Sequence, residues 1–323
     1  MTKDINNLKA QMNFKKILVL GSTGFVGENL KSKIDSKSKD LFLFPKRKEL
    51  DLSNVRSIKE YLESNKPDFA INLAGKVGGI ISNSTNNYNY LIDNLYININ
   101  LINTLKNFGL KNFLNVSTSC IYPTNNNSKI KESKILSGSL EPTNEGYALA
   151  KISALKACEF ISKSTQDYNY KTIIPCNIYG PFDNFDEQSS HMIPGVIKRI
   201  YDAKQKNKSN VSIWGNGKAR REFMYVEDFI DFLLFCINNF SQLPQNLNVG
   251  LGYDYTILEY YKTISELIGY SGKFVNDMTK PSGIMRKLID NSELVSFGWE
   301  PKYDLKAGLQ KTIKYYENHR NEI

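Results

Sequence analysis

Tyr147 and Lys151 stand four residues apart in the run Tyr147-Ala148-Leu149-Ala150-Lys151, a spacing that puts both side chains on one face of a helix. A lysine beside a phenol favours the phenolate. It is therefore expected to lower the tyrosine pKa, so that the phenol exchanges a proton with a carbonyl oxygen near neutral pH. Upstream lies Ser117-Thr118-Ser119-Cys120-Ile121-Tyr122-Pro123, and a hydroxyl there can hydrogen-bond the same carbonyl. Further upstream, Gly21-Ser22-Thr23-Gly24-Phe25-Val26-Gly27 spaces three glycines as GxxGxxG. Glycines let a backbone turn sharply and approach a pyrophosphate. The helix that follows offers free N–H groups and the positive end of its dipole to that anion.

The residues after the second apolar run bear on the choice of cofactor. An NAD site usually ends its second strand on Asp or Glu, which accepts from a ribose hydroxyl. Here the chain reads Pro45-Lys46-Arg47-Lys48. A 2′-phosphate would meet positive charge there, and a guanidinium can grip it with two hydrogen bonds. The expected cofactor is NADP(H), with Arg47 as the phosphate contact and Asp51-Leu52 near the adenine.

These groups need a scaffold that brings loop ends together. Short apolar runs at 16–20, 40–44, 68–73, 112–116 and from 171 alternate with helical patterns at 25–34, 55–62, 91–105 and 147–164. Continuous apolar strands separated by helices indicate an α/β fold, a doubly wound parallel sheet of dinucleotide-binding type with both faces covered. Beyond Tyr179-Gly180-Pro181 the regularity weakens, with turn signals at 215–217, 250–252 and 281–283 and helical stripes at 229–236, 257–268 and 305–316. The expected division is a nucleotide-binding domain over 14–180, to which part of 221–250 returns, and a smaller α/β substrate domain over 181–323. The polar run 125–137 reads as a loop.

Composition narrows the classes. With 41% hydrophobic and 23% charged residues the chain suits a globular protein. No apolar run approaches the length of a membrane span, and the polar stretch 1–13 lacks the apolar core of a secretory signal, so a cytoplasmic protein is expected. Forty-two basic against 33 acidic residues give a net charge of +9, which invites an anionic partner. The lysines are scattered among asparagines rather than striped, as on an ordinary solvated surface. Cys120, Cys158, Cys176 and Cys236 form no CxxC pair, and His191 and His319 are the two histidines. That argues against a zinc site, a disulfide scaffold or a histidine-rich metal centre.

Glycine-rich loop, strand-end hydroxyl and YxxxK, in that order, resemble the extended short-chain dehydrogenase/reductases. The segments AGKVGGI (74–80), SCIYP (119–123), EPTNEGYALAK (141–151), NIYGPFDNF (177–185), SHMIP (190–194), WGNGKARREFMYVED (214–228) and KPSGIMRKLID (280–290) sharpen this. They resemble the GDP-L-fucose synthase family, NADP-dependent epimerase/reductases acting on GDP-4-keto-6-deoxy-mannose. The resemblance implies that Tyr147 and Lys151 are the catalytic pair, that Thr118 bonds the substrate O4, and that Cys120 and His191 are the epimerising acid/base pair. It implies cofactor contacts at Gly21, Thr23, Gly24, Phe25, Val26, Gly27, Arg47, Asp51, Leu52, Leu73, Ala74, Gly75, Pro175, Asn177 and Ile178, besides Tyr147 and Lys151. It implies substrate contacts at Val77, Gly78, Ser119, Cys120, Asn177, His191, Arg199, Trp214, Arg221 and Lys280, with no metal. It also implies a homodimer built from the helices around 91–105 and 147–164, the alternative being that their apolar stripes only cover the parent sheet. The remaining cysteines read as packing residues.

The implied chemistry is coherent. A C4 ketone acidifies the hydrogens at C3 and C5; a thiolate can remove one and an imidazolium can return one on the other face, while hydroxyls hold the enolate oxygen. Three positions depart from the family pattern: Thr23 replaces a basic residue, Gly146 a proline and Phe182 a histidine. The last two are expected near the sugar, which leaves hexose and heptose open. Two rival readings stand beside the main one. The first is a C4 reductase without epimerisation, acting on a GDP-4-keto-6-deoxy-heptose or dideoxy sugar. The second is a non-catalytic nucleotide-sugar-binding or RNA-binding protein.

Overall fold

A computed structural model describes residues 13–124, 128–186, 189–280 and 283–322. Most of the polar N-terminal stretch, residues 125–127 of the expected loop, and Pro281-Ser282 of the last expected turn lie outside the described residues.

The first half follows the expected alternation: β1 (Ile17–Leu20), α1 (Phe25–Lys33), β2 (Phe42–Leu43), α2 (Val55–Asn65), β3 (Phe69–Asn72), the short α3 (Ile80–Thr85), α4 (Asn87–Phe108), β4 (Asn112–Val116), α5 (Glu145–Ser164) and β5 (Asn169–Pro175). Side chains alternate across each strand. Ile17 and Val19 therefore join one hydrophobic layer while Leu18 and Leu20 join the other, and Phe69 and Ile71 are likewise separated from Ala70. This double burial is why the strands read as unbroken apolar runs.

The second half holds more short elements than its sequence pattern suggests. They are β6 (Asn177–Tyr179), α6 (Met192–Gln205), β7 (Asn210–Trp214), β8 (Arg220–Arg221), β9 (Phe223–Tyr225), α7 (Val226–Asn238), β10 (Asn246–Val249), β11 (Tyr255–Thr256), α8 (Ile257–Ile268), β12 (Lys273–Asp277), β13 (Arg286–Lys287), α9 (Ser292–Ser296) and α10 (Leu305–His319). Several strands have only two or three residues, too short for a period-two pattern to register. One of the second-half strands rejoins the main sheet, whose order is β10-β5-β4-β3-β1-β2 with every pairing parallel.

That order contains a switch point. From β1 the chain crosses one way to β2 and the other way to β3, so a crevice opens beyond the carboxyl ends of β1 and β3. Gly21 follows β1 with φ +77°, and a Cβ there would lie 2.7 Å from the Ala74 nitrogen beyond β3. Gly27, in the first turn of α1, approaches Gly21 so closely that a Cβ would sit 2.4 Å from its carbonyl oxygen. A Gly27→Ala substitution thus forces backbone against backbone. It should cost about 1–3 kcal/mol of stability, read as a lowered midpoint in urea unfolding.

Candidate active site

The crevice at the switch point has the features a dinucleotide requires. The first turn of α1 starts at Gly24 without a side-chain cap, so its N–H groups face outward beside a loop that glycines keep free of side-chain bulk. Ser22 donates to the Pro45 carbonyl at 2.6 Å, tying this loop to the end of β2. Arg47 is exposed just beyond. Asp51 accepts from the backbone N–H and hydroxyl of Ser53; these bonds, with Arg47 as a weaker influence, hold its carboxyl below the usual range. Thr23 and Gly24 are exposed, while Leu73, Ala74 and Gly75 line the mouth half-buried. These residues fit a dinucleotide with a 2′-phosphate.

Gly75 links that crevice to the candidate proton donor. An ideal Cβ on Gly75 would lie 3.4 Å from Lys151 Nζ. Lys151 is buried in α5, and its ammonium donates to the Val116 carbonyl at 3.0 Å, at the end of β4. The next residues of that chain are the hydroxyl run. Thr118 Oγ1 accepts from the Cys120 N–H at 3.2 Å and so caps the turn at Ser119–Ile121, while its own proton stays available. Ser119 is buried, and Cys120 is partly exposed. Tyr122 anchors this turn through its hydroxyl, which donates to Asn248 of β10 at 2.7 Å.

The electrostatics correct one expectation. Burial raises the Tyr147 pKa above the ordinary phenol value, and Cys120 adds to the effect. Lys151 is pushed down from 10.5 to about 8 by burial. Its ammonium lies 5.9 Å from the centre of the Tyr147 ring and points at a carbonyl, so desolvation outweighs the expected lowering of the phenol. Tyr147 is therefore held protonated, the state a proton donor needs.

A cleft opens beside this group, walled in part by α6, β7, β8 and by Gly283 and Lys287. Its lining includes Gly78, Cys120, Asn177, His191, Arg199, Trp214 and Arg221. Arg199 donates to the Tyr261 hydroxyl at 2.6 Å, and its guanidinium sits 5.2 Å from the Trp214 ring centre. Lys280 is exposed at the rim, 5.9 Å from the same ring. Arg221 donates to the Ile284 carbonyl at 2.6 Å, which fixes its fork toward the cavity. Among the described lining residues Glu141 is the acidic one, so the walls favour an anion such as a diphosphate.

His191 precedes α6 and lines the same cleft as Cys120. Its ring is open to the cleft, but the cleft walls surround it. That enclosure, and then the charge of Lys287, lower its pKa. The expected imidazolium is thus disfavoured in the free cavity. The loop that carries His191 is held by Gly79, whose N–H donates to the Ser189 carbonyl at 3.1 Å; a Cβ on Gly79 would lie 2.5 Å from the Ser190 carbonyl. Gly79 in AGKVGGI therefore permits a close loop contact, while Gly78 leaves room for the Tyr90 hydroxyl.

Some expected residues fall elsewhere. Val77 is 58% exposed and does not line the cavity. Phe182 has φ +65°, which turns its ring outward onto Tyr315, 5.1 Å between centres. Gly146 packs on α4, where its N–H donates to Asn87 at 2.9 Å and a Cβ would lie 2.3 Å from the Asn87 carbonyl. Neither residue belongs to the cavity lining, and neither do Thr118 and Tyr147. A proline at 146 would lose that hydrogen bond. Cys158, Cys176 and Cys236 are buried, and burial raises the pKa of each, Cys158 to about 12.

Other residues of the site gave no usable signal in the sequence. Glu222 is buried and accepts from the backbone N–H groups of Leu251, Gly252 and Ile289. Burial still raises its pKa to about 7. Its own carbonyl accepts from Asn177 Nδ2 at 3.0 Å, which orients that amide in the cavity. Pro175 is buried and Ile178 half-buried on either side. Among the described residues no cluster of three or more His, Cys, Asp or Glu side chains could hold a metal, and no helix is long and apolar enough to cross a membrane.

The chain is similar to known proteins along most of its length. Residues 17–250 match the NAD dependent epimerase/dehydratase family. A GDP-L-colitose synthase from Yersinia pseudotuberculosis is 51% identical over 95% of this chain and 99% of its own length. A GDP-L-fucose synthase from Azorhizobium caulinodans is 40% identical over 94% and 96%. Among solved structures, a GDP-mannoheptose C4 reductase from Campylobacter jejuni with NADP bound superposes with a TM-score of 0.85. It is 26% identical and covers 94% of this chain and 98% of its own.

Lys151 generates a test of the electrostatics. Between pH 8 and 10.5 the unfolded chain binds the proton that the folded lysine has released, so this group's contribution to stability rises with pH. Lys151→Met removes that contribution. Relative to the native chain, the variant should be at its best near pH 7 and lose ground as the pH approaches 10.5. Urea unfolding of both chains at the two pH values checks this, and a difference independent of pH would contradict it.

Proposed function

We propose that this chain, which belongs to the NAD dependent epimerase/dehydratase family, is an NADP(H)-dependent epimerase/reductase of GDP-linked 4-keto-6-deoxy sugars. Its product is GDP-L-fucose or a close relative such as GDP-L-colitose, formed by inversion at C5, with or without C3, and reduction at C4. The observation that carries the reading is a protonated Tyr147 within electrostatic reach of Cys120, on the helix that Lys151 ties to β4, with Cys120 and His191 lining one anion-favouring cleft. The names of the relatives add weight, since both products are L-sugars. An L-product from a D-configured precursor requires inversion at C5, which reduction at C4 cannot supply.

The residues divide the work. Arg199, Arg221 and Lys280 bind the diphosphate and Trp214 stacks on the guanine; Asn177 and Gly78 position the sugar. The C4 carbonyl accepts hydrogen bonds from Tyr147 and Thr118, which stabilise the enolate oxygen as it forms. Cys120 takes a proton from the carbon beside the ketone, and His191 returns one on the opposite face. The negative charge of a bound diphosphate offsets the cationic walls and favours the imidazolium that the free cavity disfavours. NADPH, held at the switch point by the glycine loop and Arg47, supplies hydride to C4 when bound. Tyr147 gives its proton to the O4 oxygen, and the Lys151 ammonium beside it offsets the phenolate left behind. The 14–180 region, with β10 returned to its sheet, holds NADP(H), and 181–323 mainly holds the nucleotide sugar. The enzyme works in the cytoplasm without a metal or nucleic acid.

The same reading includes a homodimer. The outer faces of α4 and α5 expose Tyr96, Ile99 and Phe160 at 60%, 58% and 65%. Adjacent helices with so much apolar surface suit a four-helix contact with a second copy. Phe160→Glu places a charge in that contact and should shift the protein toward monomer in light scattering.

The catalytic reading is tested with GDP-4-keto-6-deoxy-mannose and NADPH in D2O. The product should carry deuterium at C5 or at both C3 and C5. Tyr147→Phe should slow NADPH oxidation by about 10²–10⁴-fold, the usual worth of a positioned acid. Cys120→Ser should impair deuterium incorporation far more than reduction of an already inverted ketone. Reduction without deuterium would instead favour a C4 reductase, and no NADPH oxidation at all would favour a binding protein.

A further inference from the structure

Lys287 lines the cleft, yet the chemistry above leaves it without a task. β13 runs parallel to β8 with Arg286 opposite Arg220 and Lys287 opposite Arg221. Successive strand residues face opposite sides, so the four cations divide into two pairs. Arg220 and Arg286 turn away from the cleft and close on the two carboxylate oxygens of buried Asp254, each Nε 2.6 Å from its oxygen. Arg221 and Lys287 turn into the cleft. The shared carboxylate locks the register of two strands that have only two residues each. The bonds from Ile130 N–H to the Leu288 carbonyl at 2.9 Å and from Ile289 N–H to Glu222 secure the chain just beyond Lys287.

So aimed, the Lys287 ammonium donates to Cys120 Sγ at 3.4 Å, a contact that bridges 167 positions of sequence. We propose that Lys287 is the positioning residue of Cys120: its ammonium holds the sulfur toward the substrate and offsets the negative charge whenever the sulfur is a thiolate. The inference deepens the acid/base role proposed above for Cys120. In that step the thiolate lone pair takes the proton from the carbon beside the ketone, forming S–H. The C–H electron pair moves into the enolate, and the His191 N–H proton passes to carbon on the other face. Lys287 keeps its three protons throughout, so it acts through the sulfur rather than on the substrate. Its charge also reaches the His191 ring, whose pKa is lowered first by burial and then by Lys287.

The test reads the sulfur directly. The full chain, without nucleotide, is treated with iodoacetamide at pH 7, and modification of Cys120 is followed by peptide mass spectrometry. The other three cysteines are buried, so the Cys120 peptide is readily distinguished. Lys287→Met should slow Cys120 modification by about tenfold, because the thiolate is the reacting form. Lys287→Arg keeps the cation and should restore the rate to within about threefold of the native chain. A Met variant as fast as the native chain, or an Arg variant as slow as the Met variant, overturns the proposal. Thermal unfolding shows which variants are folded, and Lys287→Gln substitutes, with the same expectation, for a Met variant that is not. In D2O with the keto sugar, Lys287→Met should also lose deuterium incorporation. If the native enzyme incorporates none, the epimerase reading fails, while the alkylation rates still decide whether Lys287 governs Cys120.

Discussion

The hydrogen bond from the Lys151 ammonium to the Val116 carbonyl is the contact on which the site depends. It ties α5, which carries Tyr147, to the end of β4, from which Thr118 and Cys120 follow. A buried cation is costly to leave without an acceptor. The helix therefore cannot slide along the sheet without exposing or stranding that charge. Gly75, by lacking a side chain, leaves the room that Lys151 occupies beside the nucleotide crevice. One buried ammonium thus sets the positions of proton donor, candidate base and cofactor loop relative to one another.

Around this fixed point the structure uses close backbone approach where side chains would intrude. Gly21 and Gly27 pack the phosphate loop against α1 and the Ala74 backbone, and Gly79 brings the His191 loop to the cleft. Gly146 lets the start of α5 rest on Asn87. In each case a Cβ would meet backbone atoms, which have little freedom to move aside. The second half contributes cations in place of glycines. Asp254 gathers Arg220 and Arg286 on one side of a short strand pair, and this leaves Arg221 and Lys287 on the other. Arg199, Arg221 and Lys287 thereby line one cleft with Glu141 as the acidic residue among its described lining, a placement that the net charge of +9 does not show.

The chain itself determined the parallel sheet, the GxxGxxG loop, the helix bearing Tyr147 and Lys151, and the basic turn at Arg47. All are local: a strand buried on both faces must be apolar throughout, and a loop that approaches a phosphate must be small. Tertiary structure alone decided the rest. The phenol's pKa direction depends on burial, which the four-residue spacing to Lys151 does not encode. Phe182 points away from the cleft because of one positive φ, and Val77 lies in the open although its neighbour Gly78 lines the wall. Lys287 stands within a segment whose resemblance was plain. Its contact with Cys120, though, comes from a two-residue strand register and a carboxylate some thirty residues away, and long-range pairing of that kind leaves no period in the sequence to read.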